Sequence, residues 1–161
     1  MREVPLSPHI LRRRLDLADR ERLIDRLAGV LVGESDVLFA YLFGSFLSEG
    51  AFADVDIAIL LDPMHGSLRT LLDVQLDLMA CLETKLHVPV DVVILNEAPL
   101  GLRLAAVQGR MIYSRNEAKR VEFVERTSLQ AMDMEYFFRQ SLQDLLWPRQ
   151  ARETRDSMVD G

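Results

Sequence analysis

Two aspartates one residue apart, Asp54 and Asp56, open the apolar run Val55-Asp56-Ile57-Ala58-Ile59. In an extended strand, side chains at i and i+2 point the same way, so both carboxylates stand on one face while Val55, Ile57 and Ile59 line the other. Carboxylates held that close repel each other unless a cation sits between them or one stays protonated. Hard divalent cations such as Mg²⁺ take oxygen ligands and bind through one or two carboxylates together with substrate phosphates. Shortly before the pair, Tyr41-Leu42-Phe43-Gly44-Ser45 ends another apolar run in Gly-Ser. Gly44 lets the backbone approach a ligand, and Ser45 can open a helix whose N–H groups face an anion. A metal-binding pair joined by a short loop to a phosphate-binding turn suggests metal-dependent nucleotidyl transfer.

A third carboxylate strengthens this reading. Asp91 interrupts Val88-Pro89-Val90-Asp91-Val92-Val93-Ile94-Leu95, where burial would favour an apolar residue at every position. A charge in such a strand is costly unless paired or ligating. If this strand lies beside the Asp54 strand, the three carboxylates converge, and two divalent ions roughly 3.5–4 Å apart become possible.

The elements that must position these groups follow from periodicity. Apolar residues at helical spacing (Leu23, Ile24, Leu27, Val30, Leu31) predict an amphipathic helix over about 15–32, ended by Gly33. Val37–Phe43 reads as a buried strand, Ser45 as a turn or short helix broken at Gly50, and Asp54–Leu61 as the next strand, closed by Asp62-Pro63. Leu68–Leu86 is a predicted helix with Leu72, Leu76, Met79, Leu82 and Leu86 on one stripe, followed by a strand over Val88–Leu95. A short helix over Pro99–Val107 and a brief strand at Met111-Ile112-Tyr113 come next. Ser114-Arg115-Asn116-Glu117 matches a capping box opening a long helix over about 115–146, which ends before Pro148. The expected fold class is α/β (α+β): a single domain over 1–161 with a core at about 35–113, a small mixed sheet flanked by helices, and a long C-terminal helix.

The chain of 161 residues is 49% hydrophobic and 27% charged, as expected of an ordinary globular domain. Its formal net charge of −6 gives no field to draw it to nucleic acid. Arg12-Arg13-Arg14, its densest basic cluster, is followed at once by Asp16, Asp19 and Glu21 and reads as a solvated helix face. The single cysteine, Cys81, cannot pair within the chain, which fits a reducing cytosol and a buried structural thiol. The N-terminus lacks a signal-peptide apolar core and no stretch is apolar enough to span a bilayer, so a cytoplasmic location is expected.

The pattern Gly44-Ser45, Asp54-x-Asp56 and a later strand aspartate, Asp91, resembles the DNA polymerase β-type nucleotidyltransferase superfamily. More narrowly it is similar to the minimal nucleotidyltransferase (MNT) antitoxins, which are paired with HEPN-domain toxins in prokaryotes. The resemblance spans roughly Val37 to Tyr113. It implies that Gly44 and Ser45 hold the nucleotide phosphates, that Asp54 and Asp56 bind both of two Mg²⁺ ions, and that Asp91 completes the catalytic metal site and helps activate the nucleophile. The loop between Ser45 and Asp54 is shorter than in many members, and Ala53 stands where Ser or Asp is common. The implied activity is transfer of AMP from ATP to a tyrosine of a HEPN ribonuclease toxin, silencing it. The alternatives are a small-molecule nucleotidyltransferase of the antibiotic-modifying kind and a non-catalytic antitoxin acting by binding. Template-directed polymerisation fits a small acidic chain least.

The remaining features read more plainly. His9, His65 and His87 are scattered near Pro or Gly and read as loop residues rather than zinc ligands. Glu49 reads as a solvated carboxylate. Arg103 is either a phosphate contact or a surface arginine. Met132, Met134 and Tyr136-Phe137-Phe138 read mostly as core, with a surplus available to a partner.

Overall fold

Backbone hydrogen bonding around one fully apolar strand organises the molecule. The structure is a computed structural model that describes residues 12–63 and 69–146. The chain runs α1 (Leu17–Val32), β1 (Val37–Phe43), a 3₁₀ turn (Ser45–Leu47), β2 (Val55–Leu61), α2 (Leu71–Leu86), β3 (Val90–Ile94), a second 3₁₀ turn (Leu95–Glu97), α3 (Leu100–Val107), β4 (Arg110–Ser114) and α4 (Glu117–Leu146). The sheet order is β3-β2-β1-β4. β1 is antiparallel to both neighbours, and β2 and β3 are parallel, joined by the α2 crossover that parallel pairing requires. The mixed α/β architecture with a long C-terminal helix is the one expected.

One face of the sheet is covered by α1 and α2. Leu23, Leu27, Leu31, Leu78, Leu82 and Leu86 pack there against Leu42, Val55, Ile57, Ile59, Val90 and Val92. On the other face Leu38, Phe39, Tyr41, Ala58 and Leu95 pack with Ala106 of α3 and with Phe123 and Val124 of α4. Phe39 meets Phe123 edge-on at 5.4 Å, and Arg120 Nη1 donates to Tyr41 Oη at 2.7 Å, so the first turns of α4 are pinned to β1.

Local details depart from the sequence reading. Arg12, Arg13 and Arg14 precede α1, whose N-cap is Asp16, accepting from Asp19 N–H at 2.7 Å; they do not form a helix face. The leucine stripe on α2 is rotated. Leu78, Leu82 and Leu86 are buried, with Leu71, Val74 and Met79 partly so, whereas Leu72 is 60% exposed and Leu76 54% exposed. The reason lies at the open edge of β3, whose outward backbone groups need partners. Gln75 Nε2 donates to Val92 O at 2.6 Å, and Glu83 Oε1 accepts from Val90 N–H at 3.1 Å. Those two residues share with Leu72 and Leu76 the side of α2 that runs along the edge, which leaves Leu78, Leu82 and Leu86 as the packed stripe.

The full capping box is at the start of α2, where Thr70 and Asp73 exchange bonds. At α4, Ser114 Oγ only donates to the Glu117 carboxylate, and Asn116 Oδ1 does the capping, accepting from Lys119 N–H at 3.0 Å. Cys81 is half-buried rather than buried. The aromatic cluster is not core: Met132, Met134, Tyr136, Phe137 and Phe138 are all 63% exposed or more. Helical periodicity shows one apolar face here as elsewhere, but α4 outruns the body that could cover it. His87 ends α2 in a left-handed conformation, while His9 and His65 lie outside the described residues. No helix among the described residues is long and apolar enough to cross a membrane.

Candidate active site

The carboxylates and the Gly-Ser turn meet at one end of the sheet because of strand register. Phe43, the last residue of β1, pairs with Asp56, which sets Gly44 beside the Asp56 side chain. Gly44 has φ 76 and ψ −160, a conformation strained for any residue with a side chain. A Cβ at that position would also run into the Asp56 carboxylate. The glycine therefore serves both the turn and the space for the aspartate. The turn that follows is a single 3₁₀ turn over Ser45–Leu47, in keeping with the turn or short helix expected there. Leu47 N–H bonds Gly44 O at 3.3 Å and Ser48 N–H bonds Ser45 O at 3.1 Å. Ser45 itself is exposed, while Phe46 of the same turn is buried.

Asp91 joins the pair across the parallel ladder, where it is the register partner of Asp56. It lies in the edge strand and is exposed, so the expectation of a charge among buried positions is corrected: its face of β3 is open at that point. Asp54 and Asp56 are half-buried. Burial, and then the nearby charges of Asp54 and Asp91, push the Asp56 carboxyl up to about 6. The three groups thus share one electrostatic patch in which Asp56 carries the conflict.

That conflict is the test of whether a divalent cation suits the site. The donors are all hard oxygens, and a cation would relieve the repulsion that raises Asp56. Yet among the described residues no group of three or more His, Cys, Asp or Glu forms a ready-made metal cage. This combination matches the way Mg²⁺ binds, through a few carboxylates completed by substrate phosphates and water, and not a dedicated protein cage.

Other candidates fall elsewhere. Glu49 is exposed in the loop after the turn. Arg103 is far from the carboxylates in the fold. It lines a cavity of about 720 Å³ with Leu38, Leu60, Asn96 and Phe123, at the opposite end of β2, and its Nε is buried without a hydrogen-bond partner. Arg20 of α1 was not anticipated. Its guanidinium donates to the carbonyls of Phe46, Ser48 and Gly50, the loop that joins Ser45 to Asp54. Its acceptors are backbone atoms, so no residue pattern announces it.

Known proteins share this frame. The polymerase beta nucleotidyltransferase model matches residues 25–118, more than half of the chain. No curated protein matches it. Among solved structures, a chain from the complex of tri-AMPylated Shewanella oneidensis HEPN toxin with MNT antitoxin superposes with a TM-score of 0.57 at 19% identity, over 79% of this chain and 98% of that one. A chain from a toxin–antitoxin structure with AMP-PNP gives a TM-score of 0.56 at 20% identity, over 78% and 98%. A chain from the MntA–HepT toxin–antitoxin structure gives 0.53 at 19% identity, over 81% and 99%. At these identities the likeness is one of fold. The family assignment rests on the sequence match, which covers the turn and all three carboxylates: this chain belongs to the polymerase beta nucleotidyltransferase family.

Proposed function

We propose that this protein is the antitoxin of a toxin–antitoxin pair and that it transfers AMP from ATP to a tyrosine hydroxyl of a cytoplasmic HEPN-type ribonuclease toxin. The observation that carries the reading is the convergence of Asp54, Asp56 and Asp91 beside the Gly44-Ser45 turn, with Asp56 raised by its neighbours. The relatives in fold support the acceptor: one comes from a complex that contains a tri-AMPylated HEPN toxin, and another carries AMP-PNP.

In this mechanism Ser45 and the backbone amides after Gly44 bind the triphosphate. Asp54, Asp56 and Asp91 would hold two Mg²⁺ ions, whose chemistry when bound would be to neutralise the triphosphate and ease deprotonation of the acceptor. Asp91, open to solvent at the sheet edge, stands where a phenol from another protein can approach and accepts its proton. The phenolic oxygen forms a bond to the α-phosphorus, the bond from that phosphorus to the β-bridging oxygen breaks, and pyrophosphate leaves. The product is a tyrosyl AMP ester. All of these roles belong to one domain, with α1 and α4 flanking the catalytic core.

The test is incubation of the purified protein with ATP, Mg²⁺ and the product of its neighbouring gene, read by intact mass. The expected result is an AMP adduct on the partner that disappears with Asp54→Ala. No adduct with the wild type, or an undiminished one with the variant, overturns the reading. Turnover of aminoglycosides without any protein acceptor would replace it with the small-molecule alternative.

A further inference from the structure

The loop from Ser45 to Ala53 must carry the chain from the phosphate turn to the carboxylate pair, and its carbonyls are gathered by one side chain from α1. Arg20 Nη1 donates to Phe46 O and, at 3.0 Å, to Ser48 O; Nη2 donates to Gly50 O; Nε reaches Leu15 O at 3.4 Å. The same guanidinium lies 5.3 Å from the ring centres of both Phe46 and Phe52. Those rings meet edge-to-face at 4.9 Å and are buried. The far end of the loop is tied as well. Arg13 and Phe52 exchange two backbone hydrogen bonds, at 2.8 and 2.9 Å.

Every part of this brace points at the site's geometry. A planar fork of fixed donors can serve three carbonyls and two aromatic faces at once, which a point-charge ammonium cannot. Without it, three loop carbonyls would turn to water and the loop would regain conformational freedom worth about 1 kcal/mol or more per residue. Strand register sets Gly44 beside Asp56, and the loop from there to Asp54 is short, so what freedom it has falls on Ser45 and the turn that follows. Arg13 and Arg20 both lie before the span matched by the family, residues 25–118. The brace comes from the flanking segment of this chain.

We propose that Arg20 is a positioning residue of the transfer reaction: by fixing the carbonyls of Phe46, Ser48 and Gly50 it holds the phosphate turn at a set distance from the carboxylates. This role rests on the nucleotidyl-transfer reading above. Arg20 touches neither phosphate nor carboxylate and acts only through the loop.

The experiment compares Arg20→Met and Arg20→Lys with Arg22→Gln, an exposed control on the same helix. Amide exchange should speed up at least about tenfold in the peptide spanning 45–53, with the β1 and β2 peptides unchanged. The KM for ATP should rise about tenfold while the KM for the protein acceptor stays within about twofold. Arg20→Lys, which keeps the charge over the rings but loses the fork, should fall between wild type and Arg20→Met. Unchanged loop exchange in both variants overturns the proposal. Faster loop exchange with an unchanged KM for ATP overturns it too, since Arg20 would then be structural only. A wild-type protein that binds no ATP would sink the transfer reading itself. In that case the exchange measurement would still decide whether Arg20 braces the loop.

Discussion

Asp56 is the residue at which the demands of folding and of chemistry collide. Burial and the charges of Asp54 and Asp91 raise its pKa from 3.8 to about 6, so the fold favours its neutral form. A raised carboxyl contributes stability that is complete below about pH 4 and is lost as pH rises through about 6. The metal-free protein should therefore lose stability over that interval relative to Asp56→Asn. A pKa rise of that size would be worth roughly 2–3 kcal/mol if unscreened, and about 1 kcal/mol for a half-exposed group. Thermal melts should show Asp56→Asn higher by about 2–4 °C at pH 7.5 and level with wild type at pH 4. Added Mg²⁺ should raise the wild type alone, and the variant should have no transferase activity. An absence of any pH-dependent difference between the two melts would show that neither burial nor the neighbouring charges raise Asp56. The Asp54–Asp56 pair and the Gly-Ser turn were legible in the sequence because they rest on local spacing. Asp91 was legible as a candidate only, since its place beside Asp56 depends on a strand register that no local pattern encodes. Arg20 was invisible because carbonyl acceptors leave no trace in residue types.

At the scale of elements, α2 has two tasks and divides its surface between them. Leu78, Leu82 and Leu86 fill the core, while Gln75 donates to the Val92 carbonyl and Glu83 accepts from the Val90 amide at the edge of β3. Side chains bonded along the edge in this way stand in the path of another strand. Leu82→Ala, at a fully buried position, should cost about 2–5 kcal/mol in chemical denaturation. Leu76→Ala, more than half exposed, should stay within about 0.5 kcal/mol. Equal losses would mean that the stripe read from periodicity is the packed one after all. The strands and helices themselves were readable because β1 and β2 are apolar runs between turn residues and the helices carry a 3.6-residue period. Which of two adjacent leucine stripes faces inward was not readable. That choice is made by the hydrogen-bonding needs of a strand elsewhere in the chain.

In the whole molecule, α4 extends past the body it packs on. Phe123, Val124 and Thr127 face the sheet and α3, and the same side of the helix continues as Met134, Phe138, Leu142 and Leu145, all exposed. These side chains add nothing to the stability of the isolated chain. Phe138→Asp together with Leu145→Asp should leave the melting temperature within about 2 °C, since exposed substitutions shift stability little. A much larger fall would show that the overhang is covered in solution. The parallel pairing of β2 with β3 has a consequence for the protein's life before it is complete. Asp56 and Asp91 become neighbours only after the chain has passed through α2 and returned. A nascent chain leaving the ribosome therefore has no assembled centre until β3 has emerged and α2 has docked. Local detachment of α2 in the finished protein would disassemble the centre in the same way, ahead of global unfolding. Chemistry at this site is thereby a report that the crossover has been made.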